Sequence, residues 1–470
     1  MEVNRDPGSF RDRSGYIFHG EGRVFRTING PALESYTTVR DSGVLASLEE
    51  KGWLIPATEL DPSVLGGAEG DARLVLEHPK LPFVSYPYEW SFPALKAAAL
   101  LQLDILLVAL AHDVALSDAT AYNVQFIGAR PVFIDTLSFR PYRDGEFWRG
   151  HRQFCEQFLN PLLLRAYLAI AHNAWYRGNL DGIPTRDVAR LMPLRRKLSW
   201  NVISQVLLQA KLDQKLLSGD CDPEGALRDV DRHKTKKLAR TSFRAILIQL
   251  RGWIAGLEPA DTGKTAWQDY VRTRTYSGEE EQAKRRCVAE FAAATKPGRL
   301  CDLGCNTGEF AEVALEAGAA TVIGFDMDHR AVEAAFARAD ERALSFLPLY
   351  LDAANPSPDQ GWNERERQGL SRRVGADAVV ALAFEHHLAI GRNVPLDQVV
   401  DWLTNLAPRG LIEFVQPDDP TLRLMLAQRE DIYRDYDEAA FAAALERRAR
   451  IVRKDTLSAA GRRLYWFDRA

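Results

Sequence analysis

One short stretch constrains this chain more than any other. Arg299-Leu-Cys-Asp-Leu303 is an apolar run that breaks at Gly304-Cys-Asn-Thr-Gly308 and gives way to a helical pattern, Glu309-Phe-Ala-Glu-Val-Ala-Leu-Glu-Ala317. Strand, glycine turn and helix in that order build a ligand site at the carboxyl end of a parallel strand. The glycines permit positive φ and a close approach to a ligand, and the helix start presents unpaired N–H groups. A dinucleotide site would read G-x-G-x-x-G, with the middle glycine letting the backbone touch a pyrophosphate. This chain reads Asp-x-Gly-x-Asn-x-Gly: Asn306 stands in the middle-glycine place and Asp302 precedes the turn. A carboxylate there suits an ammonium- or sulfonium-bearing ligand better than a diphosphate.

The next two strand-like runs add to this. Thr321-Val-Ile-Gly-Phe325 ends at Asp326, and Leu344-Ser-Phe-Leu-Pro-Leu-Tyr-Leu351 ends at Asp352. A carboxylate at the tip of the second strand can accept both hydroxyls of an unmodified ribose, and one at the third can accept from an adenine amino group. Together they call for a nucleoside with a positive, amino-acid-like tail. From about Trp267 to its C-terminus the chain resembles the class I S-adenosylmethionine-dependent methyltransferases. That resemblance implies that Asp302, Gly304 and Gly308, with Cys305 and Asn306 in the same turn, hold the methionine part of S-adenosyl-L-methionine. It further implies that Asp326 holds the ribose with Met327 beside the adenine, and that Asp352 and the backbone of Ala353 contact the base. The plainer alternative is a glycine turn that only permits tight packing.

A fourth run, Ala376-Asp-Ala-Val-Val-Ala-Leu-Ala383, leads into Phe384-Glu-His-His-Leu388. In the resembled fold the end of this strand faces the transferable methyl group, which makes His386, His387 and Glu385 the catalytic candidates. Methyl transfer needs alignment of the nucleophile and removal of a proton from a hydroxyl or ammonium acceptor, and histidine has a suitable pKa. Each histidine has an alternative role in capping the strand or packing under the next helix. Leu411 to Gln416 reads as a fifth strand, and Arg450 to Val452 with Leu464 to Phe467 as a closing antiparallel pair. Tyr276, just before the first helix of this region, is a candidate lid or substrate contact. No His, Cys or Asp spacing indicates a metal site.

The opening region carries a second pattern. Phe92 to Ala111 reads as an apolar helix. Leu116-Ser-Asp-Ala-Thr-Ala-Tyr-Asn123 follows, then two short strands, Val124 to Phe126 and Pro131 to Ile134, and then Asp135. Protein kinases place a catalytic Asp, a metal-holding Asn and a second metal-holding Asp in this order and at similar spacing. Residues 14–170 are similar to that family, which implies roles for Asp118, Asn123 and Asp135 and binding of ATP and Mg. The chain departs from the family at Leu116-Ser117-Asp118, at Asp135-Thr136-Leu137, and in having only Arg26 where a strand lysine is expected. A turn cap at Asp118, a hairpin start at Asn123 and a strand end at Asp135 are the structural alternatives. The sum of the two halves, with Ser85-Tyr-Pro-Tyr-Glu-Trp-Ser91 as a further marker, is similar to a bacterial group of class I methyltransferases that includes nodulation-type relatives.

These readings divide the 470 residues into an α+β kinase-like domain over 1–180, a helical linker region over 181–265, and an α/β Rossmann-like methyltransferase domain with a mainly parallel seven-stranded sheet over 266–470. The charge balance, Lys+Arg 60 against Asp+Glu 64, argues against a dedicated nucleic-acid binder. Five scattered cysteines read as reduced thiols. No apolar signal core opens the chain, and the most apolar stretch, Phe92 to Leu116, is interrupted by Lys96, Asp104, His112 and Asp113 and reads as a buried amphipathic helix, so the expected location is cytoplasmic. The expected activity is methyl transfer to an acceptor that is a small molecule, glycan, lipid or peptide. Two alternatives stand beside it: a bifunctional enzyme with ATP-dependent phosphotransfer in the first domain, and a docking module attached to the methyltransferase.

Overall fold

The structure is a computed structural model that describes residues 3–68, 70–217, 238–261, 278–427, 436–457 and 461–469. Tyr276, the Trp267–Tyr270 stretch and the charged run from Asp229 to Lys237 lie outside those residues.

The second half is built on a seven-stranded sheet. Its strands are β10 (Arg299–Leu303), β11 (Thr321–Asp326), β12 (Phe346–Tyr350), β13 (Ala378–Ala381), β14 (Arg409–Phe414), β15 (Arg450–Thr456) and β16 (Arg463–Asp468), in the spatial order β12-β11-β10-β13-β14-β16-β15. The first five are parallel, and β16 runs antiparallel between β14 and β15. The central strands read as unbroken apolar runs because helices cover both faces; all four residues of β13 are buried. The chain moves outward from β10 through β11 to β12, then returns to the other side of β10 with β13. In open α/β sheets the carboxyl ends of strands at such a reversal, here β10 and β13, are where ligands bind. Asp328 starts the next helix, His329–Glu341, by accepting from the N–H groups of Arg330 and Ala331.

The first half opens with an antiparallel sheet of β1 (Asn4–Arg5), β2 (Ile17–Gly20), β3 (Arg23–Asn29), β4 (Thr58–Leu60) and β5 (Ala72–His78), ordered β1-β2-β3-β5-β4. Two helices, Gly30–Asp41 and Val44–Glu50, lie between β3 and β4 in the chain. Two small ladders follow: β6 (Val114–Leu116) with β9 (Phe139–Pro141), and β7 (Val124–Ile127) with β8 (Arg130–Phe133).

The Phe92–Ala111 helix is long and apolar enough to cross a membrane by length and composition. Here Leu95, Leu103, Ile105 and Leu106 are fully buried, and the helix packs against β6, β8 and the helix Arg240–Ala255. That last helix falls in the stretch expected to be a linker. Phe243, Leu247, Leu250 and Ile254 recur on one face and are buried, and Arg251 pairs with Asp104 at 2.5 Å. The described residues of the 181–265 stretch are mostly helical, and the helix Arg240–Ala255 is a layer of the first half's core.

One apolar core runs through both halves. Phe83 meets Phe325 edge-on at 6.1 Å between ring centroids, and Phe126 meets Phe336 in the same way at 6.1 Å. Arg373 of the second half forms a two-pronged pair with Glu89 of the first, donates to the Val84 carbonyl at 2.7 Å, and stacks over the Tyr86 ring at 4.3 Å. Both charges are buried. Burial works against the Arg373 charge, but the neighbouring Glu89 carboxylate holds its pKa above the ordinary arginine value.

Candidate active site

The carboxyl edge of the parallel sheet gathers the acidic strand ends. Asp302 lies in β10, Asp326 closes β11, and Asp352 follows β12, three adjacent strands. Gly304 and Asn306 both have positive φ, at 71° and 50°. This bend folds the turn back so that the Gly304 and Cys305 N–H groups donate to the Phe325 carbonyl at 2.8 and 3.1 Å. Gly308 has φ of 81°, starts the helix Glu309–Glu316, and has no room for a side chain: a Cβ there would sit 2.5 Å from the Phe346 ring. Glycine is required at Gly308 both by conformation and by the closeness of β12.

Asp302 is the anomaly of the site. It is 3 % exposed, and its Oδ2 has no hydrogen-bond partner among the described residues. Desolvation, helped by the nearby Asp326, pushes its pKa up to about 7. A buried acceptor without a donor is costly, and an ammonium-bearing ligand is the kind of group that would relieve it. Asp326 differs in being partly satisfied: Asn306 N–H and Asp328 N–H each donate to it at 2.9 Å. Burial still raises its pKa. A carboxylate has about four acceptor positions, so two remain for vicinal hydroxyls. Met327 beside it is exposed. Asp352 accepts from Ala354 N–H at 3.1 Å and pairs with Arg392 at 3.2 Å, while Ala353 is half-buried. The residues present fit an adenosine carrying a positive tail. Arg392 carries no sequence signal; it reaches Asp352 from the loop after the fourth strand, 40 residues away.

The catalytic candidates occupy a short helix, Glu385–Ala389, at the end of β13. The structure separates their environments. Glu385 is fully buried and accepts from Val415 N–H at 3.1 Å and Tyr436 OH at 2.7 Å. Burial alone would raise its pKa, but these donors and His386 hold it below the ordinary value. Its carboxylate ties the end of β13 to the end of β14 and points no free oxygen at an acceptor, which argues for a positioning role over a catalytic one. His386 is buried, with Nδ1 3.4 Å from Glu385. His387 is exposed, and its ring lies 4.2 Å from that of His386. Partial desolvation of its ring, then His386, lower the His387 pKa to about 4. It is neutral at physiological pH.

The first half brings Asp118, Asn123 and Asp135 to one point. Asn123 Nδ2 donates toward Asp118 at 3.4 Å and Asp135 at 3.2 Å. Ser138 Oγ lies 2.6 Å from Asp135 and 3.0 Å from Asp118. A hydroxyl has one proton, so the two carboxylates share it. Desolvation, then the Asp135 charge, push the Asp118 pKa up to about 6. Arg26 of β3 reaches Asp135 at 3.1 Å and Asp12 at 2.5 Å. Ser138 went unnoticed in the sequence, although its place three residues after Asp135 is ordinary turn spacing. Among the described residues no group of three or more His, Cys, Asp or Glu side chains has a metal-holding arrangement.

Comparison with known proteins finds a methyltransferase domain in the second half. Residues 276–457 match a family model described as a methyltransferase domain. The nodulation protein NoeA of Rhizobium meliloti (strain 1021) is 50% identical over 467 residues, covering 99% of this chain and 96% of that protein. Among solved structures, magnesium protoporphyrin IX methyltransferase (ChlM) from Synechocystis PCC 6803 with bound SAM is 20% identical, with a TM-score of 0.29 over 45% of this chain and 87% of that one. The N-methyltransferase NodS from Bradyrhizobium japonicum WM9 is 14% identical, with a TM-score of 0.30 over 41% of this chain and 97% of that one. A buried acid before a glycine turn, acids on the two following strands, the family model and a relative matched along almost its whole length lead to one conclusion: the chain belongs to the NoeA family and is an S-adenosylmethionine-dependent methyltransferase.

Proposed function

We propose that Asp302, Gly304, Cys305, Asn306 and Gly308 hold the methionine part of S-adenosylmethionine, that Asp326 and Met327 take its ribose and the adenine edge, and that Asp352 and Ala353 complete the adenine contact. The observation that carries this is the unpartnered, buried Asp302 oxygen beside the bent turn. When bound, the cofactor supplies a methyl group on an already activated sulfonium. The chain's own part is to orient the acceptor at the end of β13, exclude water and receive a proton. His387 is the proposed base, being exposed and neutral; Glu385 and His386 position it from below. The acceptor is a small molecule, glycan, lipid or peptide used in nodulation, the role the relative's name carries. Calorimetry with S-adenosylmethionine is expected to show weakened binding for Asp302→Ala and Asp326→Ala; unchanged affinity in both would overturn the assignment. His387→Ala is expected to lower turnover and leave cofactor affinity intact.

A second reading concerns the first half. The convergence of Asp118, Asn123 and Asp135 with Arg26 supports a kinase-like domain that binds ATP with Mg. Mg is ordinarily held by one or two carboxylates together with phosphates rather than by an all-protein cage, which suits this small acidic set. The domain then either transfers phosphate to the acceptor or presents it for methylation. Magnesium-dependent ATP binding by the full chain, lost in Asp135→Ala, is the expected result; no binding at millimolar ATP removes this reading.

A further inference from the structure

The helical stretch from Thr185 to Val206 divides its apolar residues into two sets. Val188, Met192, Val202 and Val206 are between 0 and 3 % exposed and anchor the stretch in the core. Leu191, Leu194, Leu198 and Trp200 face the other way, at 47, 81, 82 and 68 % exposed. Leu194 and Leu198 stand one helical turn apart, so they present side chains to the same side. Core packing accounts for the first set and leaves the second without a role.

The charges around the outward set are of one sign. From Arg186 to Lys197 there are five cations, Arg186, Arg190, Arg195, Arg196 and Lys197, against the single anion Asp187, in a chain whose net charge is −4. Asp187 is engaged by Arg190 at 3.5 Å and Arg186 at 3.8 Å. Arg196 lies over the Tyr167 ring at 4.2 Å. Arg195 and Lys197 have no ion-pair partner among the described residues.

We propose that this surface docks the protein on an anionic lipid bilayer, with Leu194, Leu198 and Trp200 entering the interfacial layer and Arg195 and Lys197 among the headgroups. Exposed leucine and tryptophan interleaved with lysine and arginine is the chemistry of a helix that lies in a membrane interface, and tryptophan favours that depth. Charge complementarity selects this occupant. A second copy docked through the same patch would bring two cationic surfaces together, which costs association. A bilayer of anionic headgroups attracts the same charges.

Co-sedimentation of the full chain with vesicles tests this, using phosphatidylcholine alone and phosphatidylcholine mixed with phosphatidylglycerol. The protein is expected to bind the mixed vesicles, and more weakly as salt rises. Leu194→Ser with Leu198→Ser, and separately Arg195→Glu with Lys197→Glu, are each expected to weaken binding by about tenfold or more. Arg450→Glu, on the exposed edge strand β15, is expected to leave it unchanged. All four substituted side chains of the patch lie outside the core, so an unchanged thermal midpoint verifies folding. Absence of vesicle binding, or binding that neither double variant weakens, overturns the proposal. So does a dimer in light scattering that Leu194→Ser with Leu198→Ser dissociates, which assigns the patch to a second copy. Retention on polyglutamate without vesicle binding assigns it to an acidic protein and overturns it equally.

Discussion

The two halves of this protein each gather carboxylates at one point, and they treat them in opposite ways. Around Asp118 and Asp135 the acids are quenched from within: Asn123 and Ser138 donate to both, and Arg26 supplies a cation. Around Asp302 no donor to Oδ2 arrives from the described residues, and that oxygen is buried alone. The first arrangement has to give up hydrogen bonds before it can take a ligand. The second gains one when a cationic ligand enters. Raised carboxyl pKa values, about 6 for Asp118 and about 7 for Asp302, appear in both, so the shift alone does not distinguish a site that is already satisfied from one that is waiting.

The largest effect is expected where the halves meet. Arg373→Ala leaves Glu89 buried and unpaired, and breaking such a pair costs about 3–5 kcal/mol. Urea unfolding reads this directly; a loss under about 1 kcal/mol would mean that the halves do not depend on the pair and can be compared as separate bodies. Next comes Asp326→Ala, which removes the proposed acceptor of two ribose hydroxyls. Loss of even one hydrogen bond to a charged group, worth about 1.5–3 kcal/mol, lowers cofactor affinity by roughly one to two orders of magnitude, the minimum expected in calorimetry.

The pH dependence of cofactor binding sharpens the contrast further. Asp302 in the unliganded fold titrates near 7 against an ordinary 3.8. Its raised pKa favours the fold at low pH, and that contribution is lost as pH rises through about 4 to 7. Affinity for a cationic ligand runs the other way. It is expected to rise by up to about tenfold per pH unit below 7 and to level off above it. Asp302→Asn is expected to flatten the profile, and a flat wild-type profile would show that the acid does not meet the ligand's charge. The smallest effect belongs to Ser138→Ala, which takes away the proton shared by Asp118 and Asp135. A loss of about 0.5–1.5 kcal/mol in unfolding free energy is expected; no loss would mean that the first cluster is not held together from within.

Much of the second half could be read from the chain because its signals are local. A strand, two glycines and a helix within nineteen residues specify the turn, and the acids sit at the ends of runs whose apolar character comes from burial on both faces. The Asp118, Asn123 and Asp135 spacing likewise survives folding, since the β7–β8 hairpin between them is short. The parts that could not be read are those made by distance. Arg373 and Glu89 are 284 residues apart, and nothing near either marks a partner. Glu385 is a candidate for its place at the fourth-strand end; its bond from Tyr436, 51 residues on, has no local sign in the sequence. The outward set at Leu194 and Leu198 is likewise defined only by the burial of Val188, Met192, Val202 and Val206 beside it.

The edge-on contacts of Phe83 with Phe325 and Phe126 with Phe336 also bear on how the protein is made. Each joins a residue emerging early from the ribosome to one emerging more than two hundred residues later. At a synthesis rate of about 5–20 residues per second, the early ring waits roughly 10–50 s for its counterpart. During that interval the nascent first half presents an uncovered aromatic face, the kind of surface that chaperones bind and that crowded polysomes put at risk of aggregation.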